Sequence, residues 1–193
     1  NVLFAQEQLA TLKHNGNISV YYGANAFVEA HNAASNGDTI NLSDGNFNGT
    51  NISKSLVLRG NGAIADTARR SNGTLIAGND FSILLQDSLH VEVEGINFQR
   101  TLTIKTAGGT SKIKLSKCIL DQLVSSLNTI ISDLVVVNCI IESNNLNPTA
   151  NSFARFYNSI VYSSDLHRYL YFNNCIIKLN QLNGDSNHSI NNN

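Results

Sequence analysis

The sequence predicts an all-β fold, a right-handed parallel β-helix with a short N-terminal cap helix. Three observations predict it: an eight-residue segment that recurs along the chain, strict apolar alternation within each copy, and Gly or Asn at one fixed place. The copies are 91–98, 113–120, 134–141, 154–161 and 170–177, with fifth positions Gly95, Lys117, Asn138, Asn158 and Asn174, so the steps are 22, 21, 20 and 16 residues. A further copy, Leu56-Val57-Leu58-Arg59-Gly60, lies upstream. A period of this size marks a solenoid, in which each repeat buries its apolar face against its neighbours.

Each unit follows from residue chemistry. Positions one and three are apolar in every copy, which is the period-two pattern of a strand with one face inward. The fifth position is Gly or Asn in all copies but one, and these residues accept a left-handed bend. A bend there turns a corner and starts a second strand. Position six (Ile96, Cys118, Cys139, Ser159, Cys175) then faces inward, as does position eight (Phe98, Leu120, Ile141, Val161, Ile177). Stacked coils align the Asn residues in a ladder. Other folds fit less well. The Leu-x-x-Leu-x-Leu frame of leucine-rich repeats is missing, and the hairpin-forming pairs Asn15-Gly16, Asn36-Gly37, Asn61-Gly62 and Asn72-Gly73 lie outside the repeating block.

Composition narrows the function. The 193 residues suit a single domain, 1–193, divided into an N-terminal strand and cap helix (1–35), coils (36–178) and a polar tail (179–193). Net charge is −1 with 14% charged residues, so no basic field exists to hold a nucleic acid backbone. Apolar runs such as Leu134–Val137 are too short to span a bilayer. Asn fills 29 positions and Pro only one, so tight bends fall to Asn. The opening Asn1-Val2-Leu3-Phe4-Ala5-Gln6 has the character of the end of a cleaved export signal and suits an ordinary first strand equally well.

Between Ala24 and Ala34, helical spacing of Ala24, Phe27, Val28, His31 and Ala34 predicts the cap helix, expected to shield Ile40 and Leu42. It runs into Gly37-Asp38-Thr39-Ile40-Asn41-Leu42-Ser43-Asp44-Gly45-Asn46-Phe47, and then into Lys54-Ser55-Leu56-Val57-Leu58-Arg59-Gly60. Together with the coil pattern apolar-x-apolar-x-Asn-Cys-Ile-Ile, these segments resemble the pectate-lyase-like β-helix superfamily over about residues 24 to 178. The resemblance implies an exported, secreted or cell-surface protein. It does not imply one activity, because the superfamily holds lyases, hydrolases, epimerases, adhesins and modules without known chemistry.

Cys118, Cys139 and Cys175 occupy one place on separate coils. That spacing suits neither zinc, which takes close pairs, nor a disulfide framework, which takes an even number. They are expected to be buried small residues stacked with Ser159.

The candidate sites lie on the outward positions between the inward ones. One end of that face is charged (His90, Glu92, Glu94, Lys112, Lys114) and the other aromatic (Phe153, Arg155, Tyr157, Tyr169, Tyr171). Coils stack about 4.8 Å apart. Glu92 is therefore expected beside Lys114, Arg155 beside Tyr171, and Tyr157 near Tyr169. Tyr rings accept the apolar face of a pyranose, and Arg with the phenol hydroxyls matches its rim. The expected partner is thus a polysaccharide or surface glycan, bound through Phe153, Arg155, Tyr157, Tyr169 and Tyr171, with no cofactor; strand preference alone also accounts for tyrosines here. The alternative implied by the resemblance is a lyase or hydrolase acting on an acidic glycan. In a lyase, calcium would sit on Glu92, Glu94 and Asp87, with Lys114 or Arg59 as base. A hydrolase would need paired carboxylates, for which Asp121 and Asp133 are the nearest candidates. The excursion from Asn61 to Thr74, with Asp66, Arg69 and Arg70, is the one long loop and a further candidate for function.

Overall fold

The computed structural model describes residues 7–64, 73–78, 81–86, 89–107, 111–125, 133–146, 154–163, 170–179 and 189–191. The chain is a parallel β-solenoid with one short helix. It starts with β1 (Leu9–His14), β2 (Asn17–Tyr22) and α1 (Ala26–Ala33). The first coils are β3 (Asp38–Leu42) with β4 (Gly45–Asn48), and β5 (Leu56–Arg59) with β6 (Thr74–Ala77) and β7 (Phe81–Gln86). Then come β8 (His90–Glu94) with β9 (Asn97–Ala107), β10 (Lys112–Ser116) with β11 (Ile119–Ser125), and β12 (Asp133–Val137) with β13 (Ile140–Asn145). The last are β14 (Ala154–Tyr157) with β15 (Ile160–Ser163), β16 (Leu170–Asn173) with β17 (Ile176–Leu179), and β18 (Ser189–Asn191). No helix among the described residues is long and apolar enough to cross a membrane.

Two sheets result. The first runs β18-β16-β14-β12-β10-β8-β5-β3-β1-β2, and the second β17-β15-β13-β11-β9-β6-β4, with β7 also pairing β9. Between coils the pairings are parallel, and those of the first sheet keep strict register: Val91, Ile113, Leu134, Ala154 and Leu170 form one column. These residues are buried, as are Val93, Leu115, Val136, Phe156 and Phe172 beside them. Phe156 stacks on Phe172 with centroids 4.8 Å apart, the coil spacing itself.

The corners explain the fifth position. Gly95, Lys117, Asn138, Asn158 and Asn174 all have positive φ, between 49° and 69°. The backbone amides of the first four donate to the next coil: Gly95 to the Ser116 carbonyl, Lys117 to Val137, Asn138 to Tyr157 and Asn158 to Asn173, at 3.0, 3.0, 3.0 and 3.1 Å. Asn138 is exposed, yet at a strand corner. The side-chain ladder is present at the last pair, where the Asn174 amide donates to the Asn158 carbonyl oxygen at 2.8 Å. Gly60 departs from the expectation. Its φ is not left-handed; it is Gly because a Cβ would lie 2.4 Å from the Gly95 carbonyl oxygen and 2.8 Å from side-chain atoms of both Ile96 and Thr74. The left-handed residue of that corner is Gly62, at φ 129°.

Position six has a chemical reason beyond size. The Cys118 amide donates to Cys139 Sγ at 3.4 Å, and the Cys139 amide to Ser159 Oγ at 3.1 Å. Each small side chain therefore accepts from the coil before it, at a buried point where an unsatisfied amide is costly. The three thiols are free and buried, and the neighbouring Cys139, together with burial, pushes the Cys118 thiol well up. It is accordingly inert.

The N-terminal end is closed differently from the sequence expectation. Ile40 and Leu42 are buried, but the edge of β3 is paired by β1, antiparallel, with Leu12 opposite Ile40 and Ala10 opposite Leu42. The strands β1 and β2 form a hairpin through Asn15 and Gly16, both at positive φ, the Asn-Gly turn. The helix, Ala26–Ala33 rather than Ala24–Ala34, lies over the end of the core with Phe27 fully buried 6.2 Å from Phe81. Lys54 holds the helix C-terminus, donating to the carbonyls of His31 and Ala34 at 2.7 Å and of Asn32 at 3.1 Å.

His31, on the same helix, is 4% exposed, and neither ring nitrogen has a hydrogen-bond partner among the described residues. Burial, reinforced by the Lys54 charge, lowers its pKa below the ordinary value of 6.5; the Asn32 side chain opposes this. Between the folded and unfolded pKa values the unfolded chain binds more protons, so His31 subtracts stability as pH falls below about 6.5. Urea unfolding at pH 7.5 and 5.5 should show the midpoint falling with acidification, and falling less in His31→Leu. Equal falls would remove His31 from the account.

Candidate functional site

The outward face of the first sheet positions most of the predicted residues, because parallel register converts the repeat into columns. The central column is Thr39, Val57, Glu92, Lys114, Val135, Arg155 and Tyr171, and the next is Asn41, Arg59, Glu94, Ser116, Val137, Tyr157 and Asn173. Glu92 thus stands beside Lys114, and Arg155 beside Tyr171, as the spacing requires. Tyr157 is registered between Val137 and Asn173. Phe153, Tyr169, Asp87, Asp66, Arg69 and Arg70 lie outside the described residues.

At the aromatic end, Tyr171 is 42% exposed, and Tyr157 and Arg155 are half-buried. The Arg155 guanidinium lies 3.2 Å from the Asp133 carboxylate on the preceding coil. This ion pair ties Arg155 to the preceding coil, and the register sets Arg155 beside Tyr171 on the next.

At the charged end the residues divide. Glu92 stays on the wall, with His90 Nε2 at 3.1 Å. Glu94 reaches Lys117, whose ammonium donates to it at 2.8 Å. This hydrogen bond holds the Glu94 carboxyl below the usual range against the effect of burial, aided by the charges of Lys117, Arg59 and Lys114. Asp121 is on β11 in the second sheet and Asp133 on β12 in the first, so no catalytic carboxylate pair forms from them. The described residues do not by themselves make a calcium site, and Asp87 of that set lies outside them. Six to eight oxygen ligands are needed, whereas Glu94 is held by Lys117 and flanked by two further cations. Among the described residues no group of three or more His, Cys, Asp or Glu is placed to share a metal.

Where the two sheets meet beside Glu94 there is a depression of about 450 Å³. Arg59, Glu94, Lys117 and Asn138 line its polar side, and Ala63, Ile64, Ile119 and Ile140 its apolar side. The repeat marks Lys117 as a corner residue, and only the structure brings position seven to this depression. That position is Asn97, Ile119, Ile140, Ile160 and Ile176, an outward column on the second sheet ending with Ile176 67% exposed. The signal was present: four isoleucines at one outward place of the repeat. Comparison with protein-family models, with curated proteins and with solved structures returned no match.

Proposed function

We propose that the protein is a secreted or cell-surface β-solenoid module that binds a carbohydrate on the outer face of its first sheet. The single observation that carries the reading is the register of Arg155 beside Tyr171 on adjacent coils, with Tyr157 in the neighbouring column. An exposed ring and a guanidinium ion-paired with Asp133 offer a flat apolar surface and hydrogen-bond donors, the two things a pyranose presents complements to. Phe153 and Tyr169 belong to the same proposed surface by sequence position. Export and kinship with the pectate-lyase-like superfamily are part of this reading, supported by the parallel coils and the resemblance of the motifs. Binding at an open wall is weak per site, because little of the ligand is buried.

A glycan array, followed by affinity electrophoresis in a gel carrying the polysaccharide with the strongest signal, tests it. Retention should be lost in Tyr171→Ala while the melting temperature stays within about 2 °C, as expected for an outward residue. Undiminished retention in Tyr171→Ala, or no retention of the parent protein on any polysaccharide, would overturn the reading.

A second reading, a lyase on an acidic glycan, draws on the Arg59, Lys114 and Lys117 charges around Glu94. It requires unsaturated product, detectable by ultraviolet absorbance, from a polyuronate incubated with the protein.

A further inference from the structure

We infer that the depression between the sheets is a binding site for an organic carboxylate with an apolar body, separate from the carbohydrate surface. Lys117 occupies a corner at φ 53°, where the other coils place Gly95, Asn138, Asn158 and Asn174. A left-handed backbone is strained for an ordinary L-residue, and closing the coil needs no cation. The cost places an ammonium at the depression, where its hydrogen bond to Glu94 at 2.8 Å orients it. A strained non-glycine residue whose side chain reaches into a concave site is a functional signal.

Arg59 lines the same depression, and among the described residues its guanidinium forms no ion pair within 4 Å. Glu94 answers one of the two cations, so one positive charge is left facing the space, with Lys114 contributing from the wall. A guanidinium takes a carboxylate through two parallel hydrogen bonds, and the Asn138 amide is at hand for an oxygen left over.

Ile119 and Ile140 face outward on adjacent coils, and Ile64 is 67% exposed. An inorganic anion would leave these untouched, and a neutral hydrocarbon would leave Arg59 unanswered. Only an occupant with an anionic head and an apolar body meets both sides, and the volume suits a molecule of modest size.

Isothermal titration of the full chain with octanoate at low salt tests this, with octanol and sodium sulfate as matched probes. Saturable one-site octanoate binding is expected. It should weaken at least about tenfold in Arg59→Gln and in Lys117→Asn, the loss of a charged hydrogen bond, and stay unchanged in Lys13→Gln on the distant hairpin. Lys117→Asn installs the residue of the next corner, so it should fold at least as well as the parent, and thermal melting verifies this. Any of three results would overturn the proposal: no saturable octanoate binding, binding retained in both cationic variants, or octanol or sulfate binding as well as octanoate. None of them bears on the Tyr171 surface, so this test and that of the carbohydrate reading fail separately.

Discussion

Removing residues 1–34 should convert a soluble protein into one that aggregates. The deletion takes away β1, β2 and α1 together. It strips the backbone pairing from the edge of β3, where β1 now lies opposite Thr39 to Leu42. It also uncovers the end of the core that Phe27 closes against Phe81, and behind Phe81 the ring of Phe98 at 5.3 Å. An unpaired flat edge above an exposed apolar core is the configuration that recruits other chains. Size-exclusion chromatography with light scattering on the truncated chain measures the effect. High-mass species or insoluble protein is the expected result; a soluble monomer would mean that the N-terminal elements are ornament and the coils close themselves.

Gly60→Ala should be the most damaging conservative substitution in the coils. The added methyl would meet the Gly95 carbonyl oxygen at 2.4 Å, with Ile96 and Thr74 at 2.8 Å on either side. Gly60 also donates its amide to the Glu94 carbonyl, and Gly62 donates to Gly95, so the two corners are tied together and cannot part without losing those bonds. A loss of about 3 kcal/mol is expected, from overpacking with a backbone shift. Gly16→Ala, at a hairpin turn with nothing within 4 Å of the added methyl, should cost about 1 kcal/mol through its φ of 82° alone. Urea denaturation of both variants separates the cases; a Gly60→Ala midpoint no lower than that of Gly16→Ala would refute the close approach.

What was legible in the sequence follows from what repeats. Leu134, Val136, Cys139 and Ile141 are buried and Asn138 is left-handed because every coil restates the same local requirements. The outward columns were legible for the same reason: once the fifth positions align, Arg155 must meet Tyr171. The N-terminal hairpin was not. Its Asn15-Gly16 turn was visible, but which edge it would pair with depends on a contact between β1 and β3 across about 30 residues of chain. The repeat implies a left-handed bend at Gly60, whereas the corner there is displaced to Gly62 and Gly60 is constrained by space. The depression was hidden for a further reason. It takes Arg59, Glu94 and Lys117 from three coils and Ile119 and Ile140 from the second sheet, a juxtaposition that no single copy of the repeat contains.

The central claim is that successive coils stack in parallel along one axis, and electron-paramagnetic-resonance distances between spin labels test it most directly. One label is fixed at Thr39 and the second is moved to Val135, Arg155 or Tyr171, all outward in one column. These sites are four, five and six coil steps from Thr39, so backbone separations of about 19, 24 and 29 Å are expected, rising by about 4.8 Å at each step. A steady rise of that size is what the solenoid predicts. Distances that fail to increase in the order Val135, Arg155, Tyr171 would contradict it, as they would in a sandwich whose strands fold back on one another.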